Sequence, residues 1–221
     1  MSIYDRPEDR QQQEMYNAER SVDWSKYQGE IRKPEFLPSF GAGIKYFTQE
    51  GFETLEDCWQ YLNGVLNKAW FKKRYPRTSA RLASPKGTKT FREHGGKVIP
   101  VQERNGLELV PCKRGGFAQG GYRIGLSNWA RQERVLLHEL AHIVNYVENG
   151  SKVINGKTVT GKYRQDHGWQ FCSIYLTLVG FMMGPEAKSE LREAFKKHNV
   201  KYLRPRGLNV IAGDEPEKWV A

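Results

Sequence analysis

The chain has 221 residues, a mass of 25.6 kDa and a formal charge of +10, long enough for one domain with extensions and for a core that needs no disulfide or metal to fold. With 38% hydrophobic and 27% charged residues and no apolar run of the length a bilayer demands, it is neither a membrane-spanning helical protein nor a wholly disordered one. Residues 1–20 are polar and charged, without the apolar segment of a secretory signal, which points to a cytoplasmic protein.

Residues 1–40 read as a polar N-terminal arm, with a short helix over 7–20 and an extended, proline-containing stretch after it; 41–221 read as a single domain. Thr54 and Asp57 have capping-box spacing. Behind them Leu55, Trp59, Leu62, Val65, Leu66, Ala69 and Trp70 recur at helical spacing until Pro76. The positive charge is concentrated next: residues 68–97 hold ten basic side chains, among them Lys68, Lys72, Lys73, Arg74, Arg77 and Arg81, against the one acidic Glu93. Such a density attracts polyanions through Coulomb attraction and counterion release, making it a candidate DNA or RNA surface; a solvated, solubilising face is the plainer reading.

The middle of the chain reads as strands. Segments 98–103 and 107–110 flank Asn105-Gly106, a favoured hairpin turn, and 122–126 alternate as a half-buried strand does. Ser127 or Asn128 is placed to cap a helix over 129–148, which Asn149-Gly150 ends. A second hairpin is expected around Asn155-Gly156. Helices over 168–183 and 185–198 follow, the latter with Pro185 in its first turn, and the last twenty residues read as irregular. The three cysteines, Cys58, Cys112 and Cys172, are too few and too scattered for a disulfide framework or a zinc ribbon and read as reduced thiols.

The helix over 129–148 carries His138-Glu139-Leu140-Ala141-His142. A spacing of four stacks the two imidazoles on one face, where both can reach one metal ion. Glu139 stands about 100° away on the helix, able to flank the ion as a general base without ligating it. Random placement would give this pattern in roughly one chain in a hundred. Trp129, Leu136, Leu140, Ile143, Val144 and Val147 form one apolar stripe, and the histidines lie nearly opposite, away from the main core. A catalytic zinc needs a third protein ligand. The candidates are His94, His167, His198 and Glu148. His167 is best placed: it stands at a helix entry, where the N-terminal dipole disfavours a protonated ring, and Gly168 beside it lets the backbone come close.

His-Glu-x-x-His followed by His167-Gly168-x-x-Phe171 resembles the SprT-like zinc metallopeptidases. The wider match, from Tyr122-Arg123-Ile124 through the helix to Tyr175-Leu176, Gly184-Pro185-Glu186-Ala187 and Leu191-Arg192, is similar to a family of metallohydrolases known from actinobacteria and their bacteriophages. It covers about residues 120–200, the expected catalytic half. The resemblance implies an α+β, zincin-like fold, with a small mixed sheet on an active-site helix, behind an N-terminal helical extension. It also implies zinc held by His138, His142 and His167, Glu139 as base, and the host cytoplasm as location if a bacteriophage encodes the chain. Relatives often have proline where this chain has Trp169, and the C-terminal cysteine ribbon of some SprT-type proteins is missing.

The leading expectation is therefore a zinc-dependent peptidase that activates water with Glu139 and acts on a protein or peptide. An oxyanion donor could come from Tyr146, Tyr163, Arg164, His198 or Tyr202, among which the sequence does not choose. The alternatives are a zincin module associated with nucleic acid through the basic segment, and a non-enzymatic phage protein that inhibits a host function and keeps the metal as a structural staple.

Overall fold

A computed structural model describes residues 10–27, 51–83, 106–149 and 166–203, and the backbone alone of 7–9, 28, 89–94, 97–102, 151–154 and 157–160. The fold is mixed α+β. Helices α1 (Pro7–Ser21) and α2 (Ser25–Gln28) are followed by α3 (Leu55–Asn67), α4 (Ala69–Arg74) and α5 (Pro76–Ala83). Strands β1 (Lys89–His94) and β2 (Lys97–Gln102) form a hairpin. Strands β3 (Glu108–Pro111), β4 (Gly116–Gln119) and β5 (Arg123–Leu126) make a mixed sheet. Helix α6 (Glu133–Asn149), the hairpin β6 (Ser151–Ile154) and β7 (Lys157–Thr160), and helices α7 (Trp169–Met182) and α8 (Pro185–Lys197) complete the order.

Helix α3 begins where its capping box requires: Thr54 accepts from the Asp57 amide at 3.1 Å, and the Asp57 carboxylate accepts from the Thr54 amide at 3.0 Å. The long helix expected here is broken at Lys68, whose ψ of 136 is extended. Pro76 does more than stop it, since it also opens α5. Trp59, expected on the apolar stripe, is exposed at the helix surface, its indole N–H directed at the Leu107 carbonyl.

The sheet differs from the expected pairing. Strand β2 does not fold onto β3 around Asn105-Gly106; it pairs antiparallel with β1, Lys97 opposite His94. The Gly95-Gly96 pair between them is an equally good hairpin signal, and residues 103–105 lie outside the described residues. Strand β3 instead pairs parallel with β5, and β5 pairs antiparallel with β4, in the order β3-β5-β4. The β4–β5 connection turns through Gly120 and Gly121, at φ +63 and +72, a left-handed conformation that glycine adopts without a Cβ penalty. The hairpin expected around Asn155-Gly156 forms, Ile154 opposite Lys157.

Helix α6 is the centre of the molecule. It packs on α5, on α7, on the sheet through β4 and β5, and on β6, while α7 packs on α8 and α8 on α1. The helix starts later than expected, at Glu133, because a 3₁₀ turn (Asn128–Ala130) precedes it. Ser127 makes no capping bond there, and Trp129 is thrown out to solvent at 61% exposure. The expected polar histidine face is also covered: Leu137, His138 and Ala141 are buried along with Leu136, Leu140, Ile143, Val144 and Val147 of the apolar stripe, because α1 and α7 pack over the histidine side of the helix. The segment set apart as a polar arm supplies part of that cover. Met15 and Ala18 of α1 are fully buried, and the Gln11 side chain bonds the Lys201 carbonyl beyond α8.

Candidate metal centre

Three histidines meet beside α6. His138 and His142, one turn apart, put their Nε2 atoms 3.2 Å from each other. His167, just before α7, brings its Nε2 to 3.4 Å from that of His138. Among the described residues these three are the group whose nitrogen atoms all lie close enough together to share an ion. Tetrahedral zinc with nitrogen ligands at about 2.0–2.1 Å separates neighbouring nitrogens by about 3.3–3.4 Å, so both separations suit such an ion. The donor chemistry fits as well. Three imidazole nitrogens converging at these distances cannot all satisfy one another with the few ring protons between them, whereas one cation satisfies all three.

Of the other ligand candidates, one is engaged elsewhere. Glu148 accepts from the Thr78 amide and hydroxyl, both at 2.8 Å, at the start of α5. His198 stands at the C-terminal cap of α8, outside the cluster. The side chain of His94 lies outside the described residues.

Aromatic rings wall the cluster. Tyr16 of α1 stacks on His138 at 5.9 Å and 9° between planes. Phe171 of α7 lies 4.3 Å from the His142 ring, and Tyr175 lies 5.5 Å from His138. Behind His138, its Nδ1 stands 3.0 Å from the carboxylate of Glu19, and both side chains are buried. Sequence reasoning did not find Glu19 or Tyr16. The only signal was that two residues three apart on an otherwise polar helix would share a face.

Glu139 points the other way, towards the sheet. Gly116 of β4 packs on it so closely that a Cβ there would stand 2.7 Å from its Oε1. A larger residue at the first position of the strand would have to push that carboxylate aside. A cavity of about 420 Å³ opens over Glu139, His142 and His167, walled by the residues of β4, Tyr16 and Tyr146. Of the expected oxyanion donors, Tyr146 lines it, Tyr202 packs instead on Phe195, and Tyr163 and Arg164 lie outside the described residues.

Burial is the largest single influence on Glu139, His167, His138 and Glu19, though not always the deciding one. It pushes the Glu139 carboxyl up to about 7, against the pull of His138 and with the repulsion of Glu19. It pushes His167 down to about 3, with His138 adding to the effect. In His138 burial also acts downward, but the charge and hydrogen bond of Glu19 outweigh it and the ring ends raised. Burial of Glu19 is likewise outweighed, by His138 and by a hydrogen bond from Tyr175, so its carboxyl ends lowered. A neutral His167 ready to donate its lone pair suits a metal ligand.

The basic residues separate into two kinds. Lys72, Lys73, Arg74 and Arg77 are exposed, whereas Lys68 and Arg81 are half-buried. Arg77 donates to the Glu148 carbonyl at the end of α6, and Arg81 donates to the Gly120 carbonyl in the β4–β5 turn, both at 3.0 Å. These two arginines tie elements together. Cys58 and Cys172 are buried thiols; Cys112 is only half-buried.

Compared with family models, curated proteins and solved structures, the chain matches none. No helix among the described residues is long and apolar enough to cross a membrane.

Proposed function

We propose that this chain is a zinc-dependent metallohydrolase of zincin-like architecture, acting on an extended peptide. The observation that carries the reading is the convergence of three imidazole nitrogens, with the rings of His142 and His167 lining a cavity together with the buried Glu139 and the residues of β4. His138, His142 and His167 would hold the ion. Bound there, zinc supplies Lewis acidity, polarising a carbonyl and acidifying water.

The protein's own groups do the rest. Glu139 is buried with its pKa near neutrality, where a carboxylate can take a proton from attacking water and pass it to the leaving amine. Gly116, having no Cβ, leaves room for that carboxylate. Strand β4 is at the edge of its sheet. Its residues Gly116, Phe117, Ala118 and Gln119 line the cavity, so an extended peptide can add alongside it through main-chain hydrogen bonds. Tyr16 and Tyr146 both border the cavity, and the hydroxyl of either can serve an oxyanion.

One observation favours an association with nucleic acid in addition. Trp70 and Phe181 stack at 4.2 Å, with Phe181 largely exposed. Arg74 lies one turn along from Trp70. The stem of Lys188 crosses Gly180, next to Phe181, within the fields of Arg74 and Arg192. An aromatic pair with cations of α4 and α8 nearby is a platform on which a single strand can stack.

The deciding experiment for hydrolysis is Glu139→Gln, assayed on a peptide library beside the wild type. The expected outcome is a loss of about 10²–10⁴ in rate with zinc retained. Undiminished cleavage by the variant would remove Glu139, and with it this reading, from the mechanism.

A further inference from the structure

Helix α1 reaches the cluster through one side chain. Glu19 is buried, and its Oε1 stands 3.0 Å from Nδ1 of His138. The other nitrogen of the same ring, Nε2, faces His142 and His167 at 3.2 and 3.4 Å. A carboxylate only accepts hydrogen bonds, so the proton between them belongs to Nδ1, and Nε2 is the nitrogen left to face the cluster. Glu19 is itself held. The Trp24 indole N–H donates to its backbone carbonyl at 2.7 Å, and Tyr175 helps hold its carboxyl below the usual range. A buried carboxylate is costly unless paired, and here its partner is a ring of the cluster.

We propose that Glu19 is the positioning residue of this centre, fixing the tautomer and orientation of His138 so that its Nε2 faces the ion, and that α1 is thereby part of the site. The inference rests on the reading of the three histidines as a metal centre. Outer partners of this kind raise ligand basicity, and their loss typically weakens metal binding about 10–100-fold.

The test is zinc affinity, by competition with a chromophoric chelator, for wild type, Glu19→Gln and Glu19→Ala. Alongside it, thermal unfolding of the metal-free proteins and long-range proton–nitrogen spectra of the histidine rings are recorded. Wild type should show His138 protonated at Nδ1 when zinc is bound. Glu19→Ala should bind zinc about 10–100-fold more weakly, and Glu19→Gln, which keeps an acceptor, should fall between. A merely structural Glu19 would lower the unfolding temperature and leave zinc affinity unmoved; affinity within twofold of wild type in folded Glu19→Ala overturns the proposal. If the alanine variant does not fold, the glutamine variant decides on the same criterion. If wild type takes up no zinc, the metal reading fails on its own. The His138 tautomer in the metal-free protein, recorded above the titration of the ring, then decides the orienting role: protonation at Nδ1 upholds it and protonation at Nε2 overturns it.

Discussion

At the scale of single residues, the centre is built from side chains whose neighbours leave them little freedom. Glu139 has Gly116 against its carboxylate, and a methyl group there would stand 2.7 Å from Oε1. Gly116→Ala should therefore displace the base without touching a ligand. The expected result is a fall in hydrolysis of about 10²-fold, the cost typical of a misplacement near 1 Å, with zinc content unchanged. Wild-type turnover in this variant would show that the strand yields instead. His138 and His142 were legible from spacing alone, since four residues is a structural period of the helix. His167 was legible because its helix entry is marked by Asp166-His167-Gly168. Glu19 was not, because a hydrogen bond over 119 positions of sequence leaves no local pattern.

At the scale of elements, the patterns that survived were those with a local cause. The α3 capping box, the Asn155-Gly156 hairpin register, and the positions of α7 and α8 all depend on residues a few positions apart. The Asn105-Gly106 hairpin did not form because β2 has a nearer partner in β1, leaving β3 to find β5 in a parallel pairing that no turn signal encodes. The histidine face of α6 misled for a related reason. A wheel shows which residues share a side, and it does not show that α1 and α7 will cover the polar one. The role of α1 can be tested without reference to metal. Met15 is fully buried, so Met15→Ala should cost about 2–5 kcal/mol in chemical unfolding. A free arm would lose no more than about 0.5 kcal/mol.

At the scale of the whole molecule, α6 joins two functions of packing. One side carries the sheet and brings β4 to Glu139; the other carries α1 and α7 and brings Glu19, Phe171 and Tyr175 to the histidines. Elsewhere, cations of α4 and α8 lie near the Trp70–Phe181 stack, Lys72, Lys73 and Arg74 of α4 belonging to the basic 68–97 segment. Reversing Lys72, Lys73, Lys188 and Arg192 to Glu should weaken binding to single-stranded DNA and flatten its dependence on salt, by about 0.7 in logarithmic slope for each phosphate no longer neutralised. Zinc content should not change. Wild type that binds no nucleic acid even at low salt would make this surface a solvated face. The metal is the feature on which the rest depends. Elemental analysis of purified protein dialysed against zinc should find about one ion per chain, the count a three-histidine site holds. His142→Ala and His167→Ala should lose it, and His94→Ala and His198→Ala should keep it. Full zinc occupancy in His167→Ala, or none in the wild type, would contradict the centre described here.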